Sequence, residues 1–162
     1  LLVQALRALR PDARLLYLTP DAAGARSIVD RLKLERTIVR SAPQEEVPRF
    51  LSAADYGLLL RRSSPVNRVA CPVKWGEYLA CGVRPILTPD IGDQSRRTLE
   101  HDLGVVVTMD DVGSAAKRVA LDAAGGTAVT AAGRAQRRRF ASEALTPERA
   151  AAEVAAFVDR LS

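Results

Sequence analysis

Histidine is nearly missing from this chain: His101 is the only one. A histidine-based catalytic triad or a multi-histidine metal site is thereby almost excluded, because no second imidazole can share the work. Cysteine is scarce too, with only Cys71 and Cys81. If they flank one helix, ten residues at about 1.5 Å each set them about 15 Å apart, beyond the reach of a disulfide. They read as buried or incidental thiols in a reducing cytoplasm. Aromatic residues make up 4%, too few for a base-stacking surface. No zinc-finger or RNP-type spacing occurs, so nucleic acid is not expected as a partner. No apolar run approaches the roughly 20 residues of a membrane span. Arg7 and Arg10 interrupt the first apolar stretch, which therefore does not read as a signal peptide.

What is present is an ordinary globular composition. The chain has 162 residues, 48% hydrophobic and 27% charged, enough for one domain with its own core. The net charge is +5, and only three of the 24 basic residues are lysines, Lys33, Lys74 and Lys117. The rest are arginines, which suit phosphate pairing, although net charge alone says little about function. The first residues lack a Met and read as helix, so a fragment of a longer protein is expected.

Short apolar runs alternate with helical patterns. Strands are expected at 14–19, 36–40, 56–60, 83–88 and 104–108. Helices are expected at 1–10, 22–33, 43–54 and 72–82, with a short one within 90–102 and three more at 111–124, 128–142 and 146–161. Pro72 and Gly82 bracket one of them in the preferred order. Pro85 demotes the ladder locally or puts its strand near an edge. This rhythm predicts an α/β fold: a doubly wound, Rossmann-like parallel sheet with C-terminal helices. Ligands in such folds bind beyond the carboxyl ends of the strands. That directs attention to the loops at 19–24, 40–44, 61–73 and 88–94.

The segment ACPVKWGEYLACG (70–82) carries the most chemistry. Lys74 and Glu77 are three apart, so they share a helical face. Both lie near a helix start, where unpaired N–H groups and the dipole favour an anion. Pro72 has no N–H, so Val73 and Lys74 are the backbone donors. Together with the Lys74 charge they can hold a diphosphate. Glu77, a turn deeper, can accept two hydrogen bonds from a vicinal diol such as a ribose. The same spacing also suits an ordinary surface ion pair worth a few tenths of a kcal/mol.

The order VPRFLSAADYGLLLRRSS (47–64) followed by PVKWGEYLACGVRPIL (72–87) resembles the C-terminal, nucleotide-sugar-binding domain of GT-B glycosyltransferases of the group 1 type. Asp55, Glu77, Gly82 and Ile86 stand at positions of that family's pattern. Some branches carry P-S-K-x-x-E-Y-L-A-x-G, matched here by Pro72, Lys74, Glu77, Tyr78, Leu79, Ala80 and Gly82. The tail, residues 140–161, is similar to the family's closing helix. The resemblance implies that Glu77 holds the ribose hydroxyls and that Val73 and Lys74 contact the diphosphate. It sets Arg40, Ser41 and Ala42 along the base, with Thr19 and Pro20 nearby. Arg61 or Arg62 would reach phosphates or a negative acceptor. It implies a sugar transferred from a nucleotide-diphosphate donor, with no metal and no further cofactor.

The chain departs from the family in three places. Val69 stands where many relatives have a second glutamate that contacts the donor sugar. Arg84 replaces a usual proline, with Pro85 one step later. The family's first strand of this domain and its N-terminal acceptor domain have no counterpart in residues 1–162, which read as one donor-binding domain. One sheet position is expected to be vacant, and transfer is not expected from these residues alone. Arg134, Arg137, Arg138 and Arg139 form a basic cluster that would suit an anionic membrane surface; a solvated helix face is the plainer reading. Asp90 and Asp93 lie in a strand-end loop, and His101 reads as a surface residue. Two other classes stay open: a nucleotide-sugar epimerase-like GT-B domain, and a non-catalytic α/β interaction or regulatory domain.

Overall fold

The computed structural model describes residues 2–126 and 128–159. The strands are β1 (Leu15–Leu18), β2 (Thr37–Arg40), β3 (Tyr56–Leu59), β4 (Arg84–Leu87) and β5 (Val105–Val106). The helices are α1 (Leu2–Leu9), α2 (Ala22–Arg31), α3 (Val47–Ser52), α4 (Pro65–Arg68) and α5 (Val73–Ala80). They continue with α6 (Gln94–Glu100), α7 (Val112–Ala124), α8 (Ala131–Ala144) and α9 (Pro147–Asp159). All strand pairs are parallel, and the fold is the expected α/β class. The strands form two sheets rather than one, β1-β2 and β3-β4-β5.

The three-stranded sheet holds the core, and its strands alternate between two faces with the period of two that a pleat imposes. On one face Ile86, Val105 and Val107 pack with Leu2 of α1 and with Ala115, Ala116 and Val119 of α7. On the other, Leu59 and Leu87 pack with Trp75 and Leu79 of α5, Ile91, Leu103 and Ala141 of α8. Leu79, Leu87 and Leu103 have no exposed surface, and each such burial contributes about 1.5–3 kcal/mol. The two-stranded sheet has no comparable core. Between residues 10 and 56 Ala25 alone is buried.

Local chemistry starts and stops the helices where the sequence signals them. Asp21 caps α2 by accepting from Gly24 N–H at 2.8 Å. Asp111 caps α7 by accepting from the N–H groups of Gly113 and Ser114. α5 ends at Gly82 (φ 74°), with Val83 N–H donating back to Tyr78 C=O at 2.8 Å and Gly82 N–H to Leu79 C=O at 2.9 Å. That paired closure needs a left-handed residue, which glycine adopts without a Cβ penalty.

The structure corrects several expectations. Of the two readings of Pro85 the edge does not hold, since β4 is the central strand of its sheet and all four of its residues are buried, while the local loss of ladder pairing does. Arg84 N–H donates to Asp55 C=O on the β3 side. By alternation the missing Pro85 N–H points toward β5. Pairing with β5 begins only one residue later, at Ile86 opposite Val105. A Cβ on Gly104 would collide with Pro85. The proline is tolerated because β5 is cut to two residues. The expected helix at 43–54 is a 3-10 turn, Gln44–Glu46, running into the short α3. The expected loop at 61–68 contains α4, capped by Ser64 and opened by Pro65.

The arginine cluster on α8 does not form one solvated face. Arg134 donates to Ser52 C=O and Ala54 C=O and pairs with Asp55 at 2.8 Å. Arg137 is fully buried, donating to Gly82 C=O at 2.9 Å and Ala128 C=O at 2.7 Å. Burial, with Arg84 and Arg134 nearby, lowers the Arg137 pKa to about 10. Arg138 and Arg139 remain exposed.

Candidate functional site

α5 begins beyond the carboxyl end of β3, and its orientation is fixed from behind. Trp75 and Leu79, four apart, bury one face. Trp75 Nε1–H donates to Thr98 Oγ1 at 2.9 Å, and its indole meets Phe140 edge-on at 6.0 Å. Val73 and Lys74, on the other side, are exposed, and Glu77 is half-buried. Trp75 N–H donates to Pro72 C=O, whereas the N–H groups of Val73 and Lys74 have no acceptor among the described residues. Lys74 and Glu77 form no ion pair with each other among the described residues.

The loop leading into α5 is tied at several points. Asn67 Nδ2 donates to Arg62 C=O at 2.6 Å, and Asn67 Oδ1 accepts from Arg61 Nη1 at 3.0 Å. Ser64 Oγ accepts from Asn67 N–H at 3.2 Å. Gly92 N–H donates to Asn67 C=O at 3.0 Å, joining this loop to the one after β4. Gly92 has φ 47°, and a Cβ there would strike Ala70 C=O. Buried Gln94 donates from Nε2 to Cys71 Sγ at 3.1 Å, and its Oε1 has no partner among the described residues.

An open cleft of about 370 Å³ lies across the carboxyl ends of β3, β4 and β5. Arg61, Arg62, Thr88, Thr108 and Asp110 line it, together with apolar atoms of Leu60 and Met109. Thr88 is fixed by two bonds: its Oγ1 accepts from Arg61 N–H at 2.9 Å and donates to Arg61 C=O at 2.8 Å. Two arginines against one aspartate give the cleft a positive excess, which suits a phosphate or carboxylate ligand.

All the sequence-predicted site residues lie at the carboxyl side of the strands, but they do not converge on one cavity. Arg62 lines the cleft. Val73, Lys74 and Glu77 stand on the first turns of α5, past the tied loop. Thr19 follows β1, Arg40 ends β2, and Ser41 and Ala42 follow it, all on the separate two-stranded sheet. Sequence reasoning reached Thr88 only as the first residue of the 88–94 loop and missed Thr108 and Asp110. The signal was available, because each follows a strand at the edge where such folds bind ligands. Asp90, with φ 58°, and Asp93 lie in the strand-end loop as expected. His101 is exposed and rests on Phe140 at 4.9 Å. No three His, Cys, Asp or Glu side chains gather into a metal-holding group among the described residues. Among these residues no helix is long and apolar enough to cross a membrane.

No family model matches the chain. It is similar to a protein of Bacillus subtilis (strain 168) that is provisionally named the teichuronic acid biosynthesis glycosyltransferase TuaH. The two are 32% identical over 89 residues, which is 54% of this chain and 22% of that protein. The matched region thus spans about a fifth of the relative's length.

Proposed function

We propose that these residues form the donor-nucleotide-binding half of a glycosyltransferase whose acceptor-binding domain lies outside residues 1–162. The observation that carries this reading is the start of α5. There two N–H groups without acceptors among the described residues, an exposed Lys74 and a half-buried Glu77 share the helix whose Trp75 and Leu79 are buried. Similarity to a named glycosyltransferase supports sugar transfer as the chemistry.

In this reading Val73 N–H, Lys74 N–H and Lys74 Nζ hold the diphosphate, and Glu77 accepts from the ribose hydroxyls. Arg40, Ser41, Ala42 and Thr19 run along the base, and Arg62 supplies a second cation toward the phosphates. When the bond from the sugar to the diphosphate oxygen breaks, the electron pair stays on the diphosphate. The helix start and Lys74 stabilise that charge without reorganising. The acceptor and its positioning groups belong to the other domain, so these residues bind donor but do not transfer sugar by themselves. The free thiols of Cys71 and Cys81 suit a cytoplasmic setting.

Calorimetry with UDP, GDP and their sugars tests the reading. One nucleoside diphosphate should bind, and Glu77→Ala should weaken it about tenfold or more, since each lost hydrogen bond to a charged group is worth about 1.5–3 kcal/mol. Deoxyribose analogues should show the same loss with the wild-type protein and none with the variant. Unchanged affinity in Glu77→Ala would refute the ribose assignment, and no binding of any nucleoside diphosphate would refute the donor reading.

A further inference from the structure

Arg61, Thr108 and Asp110 line the cleft across the strand ends, and the donor assignment at α5 uses none of them. The cleft walls are residues 60–63 after β3, 88–89 after β4 and 108–110 after β5. Arg61 is held from two sides. Thr88 is 5% exposed, and its hydroxyl spans the Arg61 backbone, accepting from the N–H at 2.9 Å and donating to the C=O at 2.8 Å. Asn67 Oδ1 accepts from Arg61 Nη1 at 3.0 Å. Asn67 is itself anchored: its Nδ2 donates to Arg62 C=O, its N–H donates to Ser64 Oγ, and its C=O accepts from Gly92 N–H. A long exposed side chain ordinarily loses rotamer freedom when it takes a ligand. Here part of that freedom is already gone, and the remaining Arg61 guanidinium N–H groups have no acceptor among the described residues.

The opposite charge in the same cleft is unpaired. Asp110 forms no ion pair with Arg61, Arg62 or another cation among the described residues. Its neighbour Asp111 is occupied as the cap of α7. The Ser63 and Thr108 hydroxyls also have no hydrogen-bond partner among the described residues. Leu60, Pro89 and Met109 add apolar surface.

This set of groups discriminates among ligands. The volume, about 370 Å³, is near the lower limit of small-molecule clefts, which suits a single ring better than a whole nucleotide. A bare phosphate would use Arg61 but meets the like charge of Asp110. It also leaves the apolar surface uncovered. An amino sugar would satisfy Asp110 but sets its ammonium against two arginines. A neutral sugar leaves both arginines without a counter-charge. A ring with one carboxylate and several hydroxyls answers every group. Its carboxylate accepts two parallel N–H bonds from a guanidinium, its hydroxyls donate to Asp110, and its C–H face covers apolar atoms.

We infer that the cleft binds a sugar acid, a hexuronate ring. Arg61 holds the carboxylate, Asp110 and Thr108 bond the ring hydroxyls, and Thr88 is a positioning residue for Arg61. Arg62, exposed beside it, adds positive potential. The inference stands on the cleft's own chemistry and does not need the nucleotide assignment at α5. A nucleotide-linked hexuronate and a hexuronate at the end of a saccharide present the same carboxylate and hydroxyls.

Titration of the 162-residue chain with D-glucuronate, followed by backbone-amide and arginine Nε–H chemical shifts, tests it against D-glucose, D-glucosamine and inorganic phosphate. Glucuronate should bind about tenfold or more tightly than each of the three, with shifts at Arg61, Thr108 and Asp110. Arg61→Gln should weaken it about tenfold or more, and Arg61→Lys, which keeps the charge without the fork, should recover only part. Asp110→Ala should weaken glucuronate while strengthening phosphate, a reversal that loss of structure does not produce. Thr88→Val should weaken glucuronate, and Thr88→Ser, which keeps the hydroxyl, should restore it. Equal binding of glucose, tighter binding of phosphate, shifts confined to residues outside the cleft, or no binding of glucuronate overturns the inference. UDP-glucuronate and methyl glucuronide separate the two sources, and the inference holds with either: the ring is nucleotide-linked if UDP-glucuronate shifts Thr108 and Asp110, and saccharide-borne if only the glycoside does. UDP and GDP alone test the α5 assignment, so the two readings fail separately.

Discussion

Asp122→Ala is expected to destabilise the protein by about 3 kcal/mol, near the low end for breaking a buried ion pair. The reason is the environment of Arg84, whose side chain is 4% exposed at the amino end of β4. Arg84 Nε donates to both Asp122 oxygens at 3.2 and 2.9 Å, and Nη2 donates to Asp122 Oδ1 at 2.8 Å. Nη1 donates to Asp102 C=O and Nη2 to Asp102 Oδ1, both at 2.8 Å. Tyr56 O–H donates to Asp122 Oδ2 at 2.6 Å. Burial by itself lowers the Arg84 pKa, but the bonds and charges of Asp122 and Asp102 together outweigh it and raise it. Burial first, and then the bond to Asp122, push the Tyr56 phenol above its ordinary range. Removing the Asp122 carboxylate leaves a buried cation and an orphaned hydroxyl. Asp102 still supplies a partner, which keeps the loss from reaching the upper limit. Asp102 itself is 69% exposed, so Asp102→Ala should cost no more than about 1 kcal/mol. Replacing the pair by Arg84→Met with Asp122→Leu should recover most of the Asp122→Ala loss, because neither charge then needs a partner. Urea unfolding followed by circular dichroism reads each value from the midpoint at constant slope. In heat, a loss of about 3 kcal/mol lowers Tm by about 6–12 °C for a chain this long. The argument is refuted if Asp122→Ala costs under about 1 kcal/mol, or if Asp102→Ala matches it.

Two further outcomes follow from local geometry. Gly104→Ala forces a Cβ into Pro85 C=O and its ring. It should destabilise by about 1–3 kcal/mol through overpacking, and an unchanged urea midpoint would show that β5 can shift away from β4 at no cost. Asp111 has its pKa lowered, first by the Ser114 hydroxyl bond at 2.6 Å and then by the Ser114 and Gly113 N–H groups. A depressed carboxylate contributes stability that is fully present above its ordinary pKa and is lost as pH falls through the lowered value. Asp111→Asn should therefore flatten the acid limb of a Tm-against-pH curve below about pH 4, and an unaltered limb would rule Asp111 out as a contributor.

Much of the fold was legible because it rests on short-range chemistry. Pro72 before α5 and Gly82 after it set that helix's limits by backbone geometry alone. Asp21 and Asp111 announce their helices as caps. The alternation of β3 and β4 assigns Leu58 to one face and Leu59 to the other without knowledge of their partners. Placing Thr19, Arg40, Arg62 and Lys74 at the carboxyl side of the strands needed only the parallel rhythm. Pro85 left two readings open because a proline's cost in a strand depends on whether the neighbouring strand reaches its level, and that depends on Gly104, nineteen residues away in sequence. The fate of the α8 arginines was illegible for the same reason. Arg137 and Arg139 look alike in sequence, yet one is buried against Gly82 and Ala128 while the other stays in water.

The scarcity of histidine and cysteine had already removed whole classes of chemistry before any contact was known, since a side chain that is not in the sequence cannot act. Sequence also determined which residues start helices, which strands are parallel-type, and that Lys74 and Glu77 share a face. Tertiary structure decided what those residues meet. It tied Arg61 to Thr88, buried Arg84 against Asp122, and divided the strands into two sheets. Those outcomes depend on distances between segments remote in sequence, which only the packed chain fixes.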